Sequence, residues 1–407
     1  MMTWTDITRM TRAGVVAGFI LGGSVLAAES GDWPQFRGAD QSGISKETEW
    51  NPQALSAGPK VLWKADVGAG YSVVSFKGDS VFTMGNHTNS DTVMALSLKT
   101  GGMLWQHTYA CRGGSYAGPR ATPATDGSAV YSLSREGHLL CLDAKTGAVK
   151  WEKQIMKEFG AENLKWGFSG SPVIQGDKLL INAAEHGIAL DRNTGAKIWA
   201  SPAGTGGYAS PVVFNNGKVD CLAIFSQNAL KVVELETGKK LGELPWETSY
   251  NVNAADPIVK DGLIFISSGY NKGCALLDAR GDSLRQVWVN KGMRNQFSSS
   301  VLINGYLYGI DGNAGDGSLK CLEFASGQEK WSEKIGFGAL TAVGEHLVAI
   351  NERGDMFVIK ASPSKYELVS SSKQVLDKTC WTSPVMCRGI VICRNEKGSL
   401  VALDFRK

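Results

Sequence analysis

Three histidines, His87, His138 and His186, fall in comparable loops of a recurring pattern, and three imidazoles on one rim could ligate a metal ion. Successive repeats spread such loops apart, and no carboxylate-bearing motif joins them, so they read as solvated loop residues. The stretch "DGNAGDGS" (311–318) offers Asp311 and Asn313 in the manner of a calcium loop. Gly315 stands where a ligand belongs and Leu322 where the bidentate Glu should be, which leaves an ordinary turn. "CRGGSYAG" (111–118) could cradle a phosphate on backbone amides but lacks a strand-to-helix context. "GFSGS" (167–171) misses the nucleophile-elbow pattern, because position 171 is Ser.

A different set is better placed to act together. Tyr71, Arg120, Phe168, Tyr208, Asn253, Arg294 with Asn295, and Trp381 each precede an apolar, strand-like run by a few residues. Aromatic faces, amides and guanidinium groups suit a small polar or anionic ligand, provided the fold brings them to one place.

The elements that would do so are repeats. Short turn signals recur at Lys77-Gly78, Asp126-Gly127, Gln175-Gly176, Asn216-Gly217, Asp261-Gly262, Asn304-Gly305, Val343-Gly344 and Arg388-Gly389. Their intervals are roughly 40–50 residues, and each is flanked by β-branched and apolar residues that predict a hairpin. A second hairpin comes from a repeated phrase: "MALSLKTGGMLWQH" (94–107), "LLCLDAKTGAVKWEK" (139–153), "IALDRNTGAKIWAS" (188–201) and "LKCLEFASGQEKWSE" (319–333). In the second copy Asp143 caps the turn amides, and Gly147 takes the left-handed position of a bulged turn. Trp105, Trp151, Trp199 and Trp331 follow their glycine by the same offset, Trp288 is displaced by an insertion, and Trp246 comes late.

Four strands per repeat, eight repeats and no helical stretch between them predict an eight-bladed β-propeller of four-stranded antiparallel blades. A lone blade leaves both faces apolar, and packing blades around an axis buries them. Each tryptophan removes about 150–250 Å² from water, a gross stabilisation of about 4–6 kcal/mol before entropy. The phrase therefore has a structural reason without any cofactor. The last repeat ends at residue 407 with no fourth strand of its own. "GPKVLWKADVG" (58–68), with Trp63, is expected to supply it and close the ring across residues 58–407. Residues 29–57 form an extension expected on the surface or across one face. First strands line the axis of a propeller, so Tyr71, Arg120, Phe168, Tyr208, Asn253, Arg294, Asn295 and Trp381 are expected to converge on one channel mouth.

The whole chain narrows the classes. It has 407 residues, 49 glycines, 43% hydrophobic and 20% charged residues, and a formal charge of +3. Acidic and basic residues are interspersed, without the Lys/Arg blocks that bind nucleic acid or anionic membranes. Arg9 and Arg12 precede the uncharged run 13–28, which ends in small residues before Glu29. That is the pattern of a secretory signal peptide cleaved after Ala27 or Ala28, giving a periplasmic or extracytoplasmic monomer with no integral membrane segment. The eight cysteines do not resolve into pairs: Cys141 and Cys321 occupy the small apolar position filled elsewhere by Ala95, Ala189, Val232 and Ala402.

The pattern A-x-D-x-x-T-G-x-x-x-W, which 188–199 fits closely, is similar to the tryptophan-docking repeat of quinoprotein alcohol dehydrogenases. From "DWPQFRG" onward the chain resembles the PQQ-like propeller proteins of the outer-membrane assembly factor BamB family. The resemblance implies an exported scaffold with a protein partner on a propeller face, possible in envelope protein assembly. It also brings an alternative, a dehydrogenase of alcohols or sugars using pyrroloquinoline quinone (PQQ) with calcium; the channel-mouth residues bring another, a small-ligand or carbohydrate sensor. The adjacent Cys-Cys pair of the dehydrogenases is missing here, and no calcium ligand set aligns residue by residue. The expectation is a protein without cofactor or metal.

Overall fold

The structure, a computed structural model, describes residues 31–281 and 283–407, so the expected signal peptide (1–28) lies outside it. Eight antiparallel four-stranded units follow one another in chain order, each a meander of strands one to four. The first blade runs Ser75–Lys77, Ser80–His87, Ser90–Ser97 and Met103–Ala110. The last comprises Val385–Cys387, Ile390–Arg394 and Ser399–Asp404, completed by Lys60–Asp66 from upstream. Lys60 pairs with Asp404 and Asp66 with Ser399, so the strand expected to close the ring does so, antiparallel and in full register apart from one bulge. The only α-helix among the described residues is the short Ile155–Phe159. No helix there is long and apolar enough to cross a membrane.

Tryptophans join the blades. The indole Nε1 of Trp63 donates to Leu98 O, Trp105 to Ala144 O, Trp151 to Arg192 O, Trp199 to Leu235 O, Trp288 to Phe324 O and Trp331 to Ser362 O, at 2.7–3.1 Å. Each bond runs from the fourth strand of one blade to the turn of the next, satisfying both the indole and a carbonyl in an apolar seam. Two seams lack this device. After the fourth blade, Trp246 is buried beyond the strand and donates instead to Ser268 Oγ at 3.1 Å. After the seventh, Trp50 and Leu55 of the N-terminal extension fill the gap, with Trp50 stacked on Phe405.

The rest of that extension crosses one end of the channel. Trp33 bridges Phe76 of the first blade, and Pro34 O accepts from Thr125 N of the second. Gln35 Oε1 accepts from Ile174 N of the third, and Gln41 exchanges two bonds with Pro211 and Val213 of the fourth. Arg37 donates to Ser300 O of the sixth, and Ile44–Ser45 adds a parallel strand to Ala342–Val343 of the seventh. Of the two placements expected from sequence, surface or across a face, the segment takes the second. Its polar side chains are buried because they satisfy the ends of the inner strands.

All eight cysteines are free and buried. Cys141 and Cys321 sit in third strands facing Tyr131 and Tyr308 across the ladder. Desolvation raises both thiols to about 11, as suits inert apolar fillers.

Candidate functional site

Entry into the inner strands is set by a short recurring unit. Thr122-Pro123, Ser171-Pro172, Ser210-Pro211, Asp256-Pro257 and Ser383-Pro384 each stand immediately before a first strand. Proline holds the preceding residue extended and is tolerated where a strand begins. The side chain before it then reaches the neighbouring blade. Val73 N donates to Thr122 Oγ1, Thr122 N to Ser171 Oγ, Ser171 N to Ser210 Oγ, Ser210 N to Asp256 Oδ1 and Asp256 N to Ser299 Oγ, at 2.7–3.1 Å. These five bonds form a stair around the axis from the first blade to the sixth.

One step of the stair is an acid. Asp256 is 5% exposed, and its Oδ2 has no hydrogen-bond partner. Burial raises its pKa to about 6, against the opposing pull of the Arg37 charge and the bonds from Ser210. Asp256, Ser171 and Ser210 line a central cavity of about 280 Å³, with Phe36 of the crossing segment also in its wall.

Toward the mouth the wall is aromatic. Tyr71 and Trp381 stack with ring centroids 5.7 Å apart, Tyr116 approaches Trp166 at 5.6 Å, and Phe297 lies 5.2 Å from Trp381. Tyr71 Oη donates to Glu396 at 3.0 Å, and the Arg120 guanidinium lies 5.5 Å over the Tyr71 ring. Arg120 also donates to Gly118 O and Tyr116 O. Burial, then the neighbouring Arg135 charge, lowers its pKa to about 10, still well above neutrality.

The eight residues read from the sequence divide evenly. Tyr71, Arg120, Tyr208 and Trp381 line the cavity. Phe168 packs in the core between the second and third blades. The Asn253 amide donates to Ser226 O, Gln227 O and Trp246 O and accepts from Ser268 Oγ. Asn295 bonds Ile310 O and Ser300 Oγ. Arg294 forms a two-point pair with Asp311 at 2.6 and 2.9 Å. These four lie outside the cavity wall: the two asparagines brace the backbone, Phe168 fills the core and Arg294 is taken up by Asp311. The histidines do not gather, and among the described residues no group of three or more His, Cys, Asp or Glu could hold an ion.

Sequence reasoning passed over Asp256, Ser171, Ser210, Tyr116 and Trp166. The signal for the first three was present: Ser or Thr before Pro at the start of a first strand, with Asp substituted once.

The fold and its channel define a class: an eight-bladed propeller of the PQQ-like repeat type. A family model described as "Outer membrane protein assembly factor BamB" matches residues 89–333, more than half of the chain. The chain belongs to that family. The BamB of Yersinia pestis is 22% identical over 295 residues, 68% of this chain and 72% of that protein. The BamB of Moranella endobia is 21% identical over the same length. Among solved structures, BamB from Moraxella catarrhalis superposes with a TM-score of 0.63 at 15% identity, over 85% of this chain and all of that one. A europium-containing methanol dehydrogenase gives 0.68 at 14%, over 92% and 90%. At these identities the structures share the fold.

The dehydrogenase resemblance brings calcium and PQQ into question, and the donor set answers it. Calcium takes six to eight oxygen ligands, several of them carboxylates. The cavity wall provides one carboxylate, Asp256, with one of its two oxygens engaged by Ser210 N. The residues present do not fit that site.

Proposed function

We propose that the protein is an exported, non-catalytic scaffold that holds a protein partner on one propeller face during outer-membrane protein assembly. The observation that carries this reading is an exposed aromatic crown around the channel mouth. Tyr116 and Tyr250 are 54% and 56% exposed. Lys165 lies 5.0 Å over Trp166 and 6.0 Å over Tyr250, which meets Tyr270 edge-on. Tyrosine and tryptophan are residue types enriched at the centres of protein interfaces. Family membership supports the assembly role, and the basic, then apolar, then small-residue start of the sequence supports export.

The test uses the mature chain as bait in envelope extract, beside a Tyr116→Ala/Tyr250→Ala variant. A partner from the outer-membrane assembly apparatus captured by the parent and lost by the variant supports the reading. Equal capture by both would move the interface elsewhere. Stoichiometric PQQ–calcium binding with alcohol turnover would replace the scaffold with an enzyme. N-terminal sequencing of exported protein should find Ala28 or Glu29 first.

A further inference from the structure

We propose that the central cavity is a binding site for a neutral, polyhydroxylated molecule of monosaccharide size, seated on Asp256 and flanked by Trp381 and Tyr71. This goes beyond the scaffold reading and stands on separate observations, made on the cavity wall and not on the exposed Tyr116 and Tyr250.

The first is the odd step of the stair. Serine or threonine serves this position in the neighbouring blades, and either would satisfy Ser210 N. Asp256 makes the same bond and adds a second oxygen that no protein group meets, at a residue 5% exposed. A buried acceptor without a partner is costly, and it persists where something else uses it. A ligand hydroxyl is a donor of the right kind.

The second is the chemistry of the surrounding wall. Ser171 uses its oxygen to accept a backbone bond, so its hydroxyl keeps a proton to donate, whereas the Ser210 hydroxyl is turned to Asp256. A molecule that both gives and takes hydrogen bonds suits such a mixture. Tyr71, Tyr208 and Trp381 add apolar faces that can cover the C–H surface of a ring.

The third is charge. The wall holds one carboxylate, Asp256, and one guanidinium, Arg120. An organic cation would meet Arg120 and an anion would meet Asp256, whereas a neutral polyol can bond to both. The volume of about 280 Å³ lies at the small end of ligand cavities, which favours one sugar ring over an oligosaccharide.

Isothermal titration and intrinsic tryptophan fluorescence of the mature chain test this with glucose, galactose, N-acetylglucosamine and myo-inositol as neutral probes. Choline and inorganic phosphate serve as the charged arms. The expected result is saturable one-to-one binding of at least one neutral probe, with weaker or no binding of choline and phosphate. Asp256→Asn should lower that affinity at least ten-fold without lowering the melting temperature, since Asn keeps an acceptor for Ser210 N. Arg294→Ala, outside the cavity wall, should leave affinity unchanged. No saturation by any neutral probe, preference for a charged one, or unaltered affinity in Asp256→Asn would each overturn the proposal.

Discussion

Trp105 lies flat against Gly147 of the following blade. Its indole Nε1 donates to Ala144 O at 2.9 Å, and a β-carbon at Gly147 would fall 2.5 Å from its ring. The glycine is also left-handed, at φ 72°. Backbone conformation and the neighbour's ring thus impose the same residue independently. Gly176 separates the two causes: its φ is 58°, and a β-carbon there meets nothing within 4 Å. Gly176→Ala should cost about 1–2 kcal/mol, the left-handed penalty alone. Gly147→Ala should cost at least about 2 kcal/mol more by displacing Trp105. Chemical denaturation of the two variants gives the comparison, and equal losses would remove the docking argument.

The segment 32–45 is the second device that unites the blades. It bonds to the inner strands of six of them, and Arg37 places three donor contacts on the carbonyls of Gln41, Ser42 and Ser300. Removing it uncovers inner-strand ends and the Trp33 packing, yet leaves the closing strand Lys60–Asp66 in place. A chain beginning at residue 46 should still fold with a cooperative transition but melt well below the parent. A chain lacking 58–68 should aggregate, because the last blade then has an open edge. Parent-like melting of the chain from residue 46 would show that the segment only covers the channel.

Why was so much of the fold legible, and so little of the site? The turns at Gly78 or Gly389 and the Trp-to-Gly spacing are local, so sequence distance reports structure directly. Closure was readable because Ser399–Asp404 had no partner downstream and Lys60–Asp66 none upstream. The channel residues depend on which way a side chain turns at the end of a loop. Asn253 and Asn295 point into the backbone because neighbouring carbonyls and hydroxyls there need partners. Tyr71 and Trp381 stay in the channel because they stack on each other across the junction of the first and last blades. Asp256 went unread because the stair it belongs to crosses between blades.

Arg294 shows the consequence of such an internal partner. Its guanidinium grips Asp311, whose carboxylate is almost fully buried and also faces Lys320 at 3.3 Å. Those charges hold the Asp311 pKa below its ordinary value despite burial. Arg294→Ala removes the closer cation, and Lys320 compensates in part. Because the guanidinium is about one-third exposed, the expected loss is about 1–2 kcal/mol, below that of a fully buried pair. A loss under about 0.5 kcal/mol would show that solvent already screens the pair.

Asp256 should make its own mark on stability against pH. Its folded pKa is about 6, against 3.8 for an ordinary Asp. Below 3.8 both folded and unfolded chains carry the proton, and the residue contributes no pH dependence. Between 3.8 and 6 only the folded chain holds it, so raising the pH favours unfolding. Above about 6 the loss is complete, and a shift of about two units corresponds to about 2–3 kcal/mol. Other buried carboxylates, such as Asp311 with its lowered pKa, act in the opposite sense and obscure this in the parent alone. The difference between parent and Asp256→Asn isolates it. The variant keeps an acceptor for Ser210 N and carries no charge, although Arg37 loses a nearby countercharge, which trims the gain. Denaturation at pH 7.5 should find Asp256→Asn more stable than the parent by about 2 kcal/mol, narrowing as the pH falls through 6 and vanishing near 3.5. A stability difference that does not change with pH would mean that the Asp256 carboxylate titrates normally in the folded chain.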